Sequence, residues 1–139
     1  MRLSPVYETE PLEYEEQPPF LNAVAAGRWR RAPEELLNEL QAIEAVEGRD
    51  RAREIEKGPR RLDIDILLLG ELVLETERLT VPHPRLTERA FALRPLLDLA
   101  PDLADPRTGT PLARFLGRLS AQGIYLVSDH PYTQARGDT

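Results

Sequence analysis

The sequence predicts an α+β fold, and three observations carry that expectation. Read with a period of two, Leu62, Ile64, Ile66 and Leu68 put apolar side chains on one face of an extended segment, so 62–69 reads as a strand. Leu36, Leu37, Leu40, Ile43 and Val46 recur at helical spacing, so 33–47 reads as an amphipathic helix. Gly70-Glu71 followed by the apolar run of 72–76 reads as a tight turn into a hairpin, which implies antiparallel pairing.

In chain order, 2–9 is the first expected strand. Residues 10–19 read as a mobile loop: Pro11, Pro18 and Pro19 lack the N–H a ladder needs, and Glu13-Tyr14-Glu15-Glu16 adds charge. Residues 20–27 resume as a strand with Phe20, Asn22 and Val24 on one face. The helix opens with Pro33, whose missing N–H costs nothing in a first turn. Glu34 and Glu35 suit the positive end of its dipole, and Gly48 is the expected stop. After the 62–69 strand and its hairpin, Pro82-His83-Pro84 must run extended or turn. Residues 85–93 read as a helix limited by Pro95, 96–99 as a separate short turn, and 112–119 as a last helix. Residues 124–127 read as a final strand. The expected organisation is one domain over 1–127, with 128–139 a polar tail.

Composition excludes several function classes. The 139 residues include no cysteine, which removes disulfides and thiolate metal centres, and only His83 and His130, which argues against a histidine-rich zinc site. The net charge of −6 disfavours broad nucleic-acid or anionic-membrane binding. Lys57 is the lone lysine among 18 cations, and arginine clusters in an acidic chain point to focused phosphate recognition. No apolar run reaches spanning length and the amino end has no signal-peptide pattern, so no membrane partner is expected and the cytoplasm is the expected compartment.

Asp63 and Asp65 lie on the polar side of the 62–69 segment, their Cα atoms about 6.6 Å apart at a strand's rise. Two carboxylates on one face of a core strand repel each other and are costly to dehydrate. Together they suit a hard cation such as Mg²⁺, which takes one or two carboxylates and completes its shell with water and phosphate oxygens. An isolated Asp-x-Asp reads as a strand end reaching solvent. With Gly58-Pro59-Arg60 before it and an apolar strand around it, it reads as a metal–phosphate site. Other residues leave two readings open. Phe20 and Asn22 fit a core ring and an edge amide, or a platform for a planar heterocycle. Gln41 and Glu44 are solvated unless something binds at that helix end. Arg49, Arg51 and Arg53 fit a solvated loop, or a lid that orders over phosphate. His83 is a stiff loop residue, or a well-fixed phosphate ligand.

In one order, the chain presents Phe20-Leu21-Asn22; Gly48-Arg49; Gly58-Pro59-Arg60-x-Leu62-Asp63-Ile64-Asp65-Ile66; Leu79-Thr80-Val81-Pro82-His83; and Arg89-x-Phe91-x-Leu93-x-Pro95-Leu96. Together these motifs closely resemble 6-hydroxymethyl-7,8-dihydropterin pyrophosphokinase, an enzyme family of folate biosynthesis, over residues 2 to 103. The resemblance implies transfer of pyrophosphate from ATP to the pterin hydroxymethyl, giving AMP, with two Mg²⁺ ions held by Asp63 and Asp65. It implies a pterin sandwiched by Phe20 and Phe91, read by Asn22 with backbone from Thr9 to Leu12, and with Arg89 nearby. Arg49 and Arg60 would clamp the moving phosphates. Gln41, Glu44, Arg51, Ile66, Arg78, Thr80 and His83 would line the ATP site. The implied fold is a ferredoxin-like antiparallel sheet with helices on its faces, an α/β/α sandwich, in a monomer or weak homodimer.

Against the family's pattern, Met1 falls just before what resembles the second strand. The first strand, its Gly-Ser-Asn turn and a long helix have no counterpart, so an in-frame Gly-Ser-Asn turn is expected in the DNA upstream of Met1. Lys57 stands where the family usually has tryptophan, the segment before Gly58 is one residue longer, and Pro84 follows His83. The alternative readings are a two-metal nuclease, a sugar-nucleotide transferase, or a truncated relic that binds nucleotide without turnover. Phe20, Asn22 and the arginine segment favour the pterin enzyme, since a nuclease wants a broad basic track.

Overall fold

A computed structural model describes residues 1–9, 20–52, 62–119 and 122–128, and of 48–52 and 128 the backbone alone. The expected loop over 10–19, Leu12, Arg53, Lys57, Arg60 and the tail beyond 128 lie outside the described residues. The elements in chain order are β1 (Arg2–Leu3), β2 (Val6–Thr9), β3 (Phe20–Asn22), β4 (Ala25–Ala26) and α1 (Pro33–Ala52). There follow β5 (Leu74–Glu75), β6 (Thr80–Val81), a 3-10 turn (Leu86–Glu88), α2 (Ala90–Leu99), α3 (Leu112–Arg118) and β7 (Ile124–Ser128). The fold is α+β, and every described strand pair is antiparallel. Two compact units divide it, Met1–Arg28 with Pro84–Thr139, and Trp29–His83.

In the first unit, the expected strand 2–9 is two strands, because Pro5 has no N–H to give a ladder. Ser4 keeps the hairpin together across the break: its N–H donates to Val24 O at 2.8 Å, and its Oγ accepts from the Val24 N–H at 2.8 Å. On either side, Leu3 pairs with Ala25 and Tyr7 with Asn22. β7 takes the free edge of β2, giving the order β3-β2-β7.

Beneath these strands, α2 packs against β2, β3, α3 and the 3-10 turn. Its Leu93 and the Leu112 of α3 are wholly buried, with Leu86, Leu96 and Leu97 almost so. α2 runs through Pro95, which was expected to end the helix. A proline inside a helix costs about 3 kcal/mol, while each leucine it helps to bury returns about 1.5–3 kcal/mol, and three leucines lie on this helix's buried side. Packing therefore outweighs the local breaker.

In the second unit, α1 continues past Gly48 to Ala52, so Gly48-Arg49-Asp50-Arg51 is helical and the expected stop is absent. Glycine inside a helix costs only about 1 kcal/mol against alanine. Gly70 and Gly109, by contrast, adopt positive φ at turns, 57° and 78°. The expected strand 62–69 forms no ladder among the described residues, although its period survives: Leu62, Ile64, Ile66 and Leu68 are half-buried, while Asp63 and Asp65 are exposed. The hairpin is displaced one turn along the chain. Gly70-Glu71 does turn, with Leu72 N–H donating to Leu69 O, but 72–76 pairs forward: β5 meets β6, Leu74 opposite Val81 and Glu75 opposite Thr80. The side chain of Thr76 exchanges hydrogen bonds of 3.0 Å with the Leu79 backbone and closes that turn. Among the described residues the apolar stripe of the twenty-residue helix α1 is only half-covered. Leu36, Leu37 and Leu40 are half-buried, and Ile43 and Val46 are exposed.

Candidate functional site

The candidate residues form two clusters, one in each unit. In Trp29–His83, the alternation of 62–69 turns Asp63 and Asp65 to solvent and the aliphatic side chains inward. Two neighbours tether this segment. The Ile64 N–H, which lies between the aspartates, donates to Glu44 Oε2 of α1 at 2.6 Å. From the other side, the His83 N–H donates to Leu67 O at 2.9 Å, and His83 Nε2 lies 4.0 Å from Asp65 Oδ2. Because the His83 ring is mostly buried and flanked by prolines, it holds a fixed position beside that carboxylate.

This donor set fits Mg²⁺. It offers hard carboxylate oxygens, exposed two residues apart on one segment. A cation held by two carboxylates keeps positions open for water and phosphate oxygens.

Around the aspartates, Gln41 is exposed one turn before Glu44, Ile66 is half-buried, and Thr80 sits in β6. Arg78 is tied to α1, its Nη2 donating to Asn38 Oδ1 at 2.6 Å with Nη1 3.8 Å from Glu34 Oε1. The backbone of Arg49 and Arg51 belongs to the last turns of α1.

Sequence reasoning missed what Glu44 does. Its spacing placed it near a helix end, but its partner, a backbone N–H twenty residues on, leaves no trace in local pattern. A hydrogen bond to a charged group is among the stronger kinds. Glu44→Ala is therefore expected to weaken Mn²⁺ binding about tenfold by loosening the segment between the aspartates. Unchanged Mn²⁺ affinity would show that Glu44 does not set the carboxylates.

The second cluster belongs to the Met1–Arg28 and Pro84–Thr139 unit. Thr9 is buried on β2 and Phe20 lies opposite it on β3, half-exposed. Asn22 shares that face, and its Nδ2 donates to Thr9 Oγ1. Arg89 leads into α2, with its guanidinium 5.4 Å from the centre of the Phe91 ring, within cation–π range. Behind them the Tyr7 hydroxyl donates to Asp98 Oδ2, and Asp98 Oδ1 takes Arg94 Nη2 at 3.1 Å. That contact fastens β2 to α2. Only its Arg94–Asp98 half, four residues apart on a helix, was legible in the sequence.

Comparison with known proteins adds the following. The family model for 7,8-dihydro-6-hydroxymethylpterin-pyrophosphokinase matches residues 1–101. The folic acid synthesis protein fol1 of Schizosaccharomyces pombe is 50% identical over 126 residues, 91% of this chain and 17% of that protein. The 2-amino-4-hydroxy-6-hydroxymethyldihydropteridine pyrophosphokinase of Pseudomonas aeruginosa is 48% identical over 122 residues, 88% of this chain and 74% of that one. The protein of the same name from Bacillus subtilis is 46% identical over 98 residues, 70% of this chain and 58% of that one. The chain thus spans a small part of the fungal relative and between half and three quarters of these bacterial ones.

Proposed function

Because the chain belongs to the 7,8-dihydro-6-hydroxymethylpterin-pyrophosphokinase family, we propose that it transfers pyrophosphate from ATP to 6-hydroxymethyl-7,8-dihydropterin in folate biosynthesis. The hydroxymethyl oxygen attacks the β-phosphorus and gives up its proton to solvent, the bond from that phosphorus to the α,β-bridging oxygen breaks, and AMP leaves with the freed electron pair. The observation that carries this reading is the exposed Asp63–Asp65 pair on an otherwise apolar segment, tethered by Glu44 and His83.

Asp63 and Asp65 would hold two Mg²⁺ ions, which when bound neutralise polyphosphate charge and help to align it. The remaining work is positioning. Phe20 and Phe91 would sandwich the pterin ring, Asn22 would read its edge, and Thr9 and Leu12 would add backbone contacts. The contact between Asn22 and Thr9 supports that reading, since it fixes which way the amide points. Arg89 would lie near the pterin and the phosphates, and its guanidinium lies against the Phe91 ring. Gln41, Glu44, Arg51, Ile66, Arg78, Thr80 and His83 would surround ATP, and Arg49 with Arg60 would neutralise charge as the phosphates move. The wider architecture proposed is a single ferredoxin-like domain over 1–127, an α/β/α sandwich with 128–139 as a tail, acting in the cytoplasm as a monomer or weak homodimer. Among the described residues no helix is long and apolar enough to cross a membrane.

Titration calorimetry tests the reading. A non-hydrolysable ATP analogue should bind with Mg²⁺ and far more weakly without it, and pterin should bind once nucleotide is present. Pterin binding indifferent to nucleotide, or no nucleotide binding at all, would end the proposal. Arg60→Ala is expected to lower kcat about a hundredfold and to change KM for ATP little, because a clamp on moving charge acts in the transition state. A change confined to KM would make Arg60 a ground-state binding residue only.

A further inference from the structure

We propose that Gln122, beyond the 101 residues matched by the family model, is a positioning residue for the pterin side of the site. The inference rests on the reading of Arg89 and Phe91 as pterin-binding residues. Helix α2 begins without the usual help: its N-cap is Arg89, whose side chain makes no capping bond, and its first turn has no acidic residue. An uncapped first turn leaves backbone N–H groups seeking acceptors. The acceptor here comes from far along the chain. The Ala90 N–H donates to Gln122 Oε1 at 2.8 Å, and the same amide's Nε2 donates to Glu88 O at 2.9 Å.

One side chain thus grips the backbone on both sides of Arg89, closing the junction between the 3-10 turn and α2. A primary amide is suited to this task, having one acceptor and one donor about 2.2 Å apart. Arg89 itself is extended, φ −123° and ψ 105°, so two helical segments of different direction meet there. Without the clamp, that residue has freedom to rotate and to carry its guanidinium off the Phe91 ring. Gln122 is itself tethered, since its N–H donates to Leu119 O at 3.0 Å just past α3, and α3 packs on both α2 and the 3-10 turn. The residues after 101 thereby contribute to recognition without touching ligand.

Gln122→Met, similar in length but unable to form either bond, is the decisive variant, with Gln122→Glu beside it. Glutamate keeps an acceptor for Ala90 and loses the donor to Glu88 O. In Gln122→Met, KM for pterin should rise about three- to tenfold while KM for ATP stays within about twofold. Gln122→Glu should fall between it and the parent chain. Exchange of the Ala90 amide should accelerate about tenfold in Gln122→Met, with that of Leu97 in the same helix unchanged. The proposal is overturned if pterin and ATP constants move together, if neither moves, or if Ala90 exchange does not respond. Should Gln122→Met also loosen Leu97, the Gln122→Glu constants decide the matter alone. Should the parent chain neither bind nor turn over pterin, the proposed function fails, and the proposed pterin role of Gln122 fails with it. Ala90 exchange then decides only whether the backbone clamp exists.

Discussion

Asp63→Ala and Asp65→Ala are each expected to lower AMP release by about a thousandfold or more, while circular dichroism and the unfolding midpoint stay near those of the parent chain. The size follows from the task. Holding cations against a polyphosphate supplies several kcal/mol of transition-state stabilisation, and each 1.4 kcal/mol is worth about tenfold in rate. The separation of activity from stability follows from the geometry. Both carboxylates are exposed, and Asp65 Oδ2 lies 4.0 Å from His83 Nε2. An ion pair of that length beside solvent contributes little. Surface substitutions of this kind shift stability by about 0.5 kcal/mol or less. Mn²⁺ titration followed by electron paramagnetic resonance should show the lost sites directly. Turnover retained in both variants would remove the metal assignment, and with it the reaction.

Leu93→Ala is expected to cost about 2–5 kcal/mol of folding free energy, a large share of what holds a domain of this size together. Leu93 has no exposed surface and lies in α2 among Leu86, Leu96, Leu97 and Leu112, where the surrounding backbone has little room to close on a cavity. Ile43→Ala on α1 makes the contrast. That side chain is already 48% exposed, and its loss should cost about 1 kcal/mol or less. Urea midpoints at constant slope would measure both. Similar losses at the two positions would mean that burial in α2 is not what organises the Met1–Arg28 and Pro84–Thr139 unit. Because α2 also carries Phe91 and follows Arg89, weakening Leu93 should also degrade the proposed pterin binding.

Wherever a signal is local, the sequence was a sufficient guide. The period of two in 62–69 correctly divided apolar from acidic side chains, since alternation is a property of any extended backbone. Pro33 and the following glutamates located the start of α1, and the spacing of Leu112, Phe115 and Leu116 located α3. The ordered motifs from Phe20 to Leu96 identified the family. What depends on a partner elsewhere was not legible. Whether 62–69 joins a ladder is decided by what lies beside it, which alternation does not encode. The choice of β6 as the partner of β5 was settled by the Thr76–Leu79 turn. Pro95 and Gly48 carry breaker signals worth about 1–3 kcal/mol, and tertiary burial at the first and continued helical bonding at the second exceed them. Glu44 holding Ile64, and Gln122 gripping the start of α2, join residues twenty and about thirty positions apart. The residue types and their faces were therefore determined by the chain itself. Which backbone groups those side chains hold in place was decided only when distant segments packed together, because a hydrogen bond has no local pattern until its partner arrives.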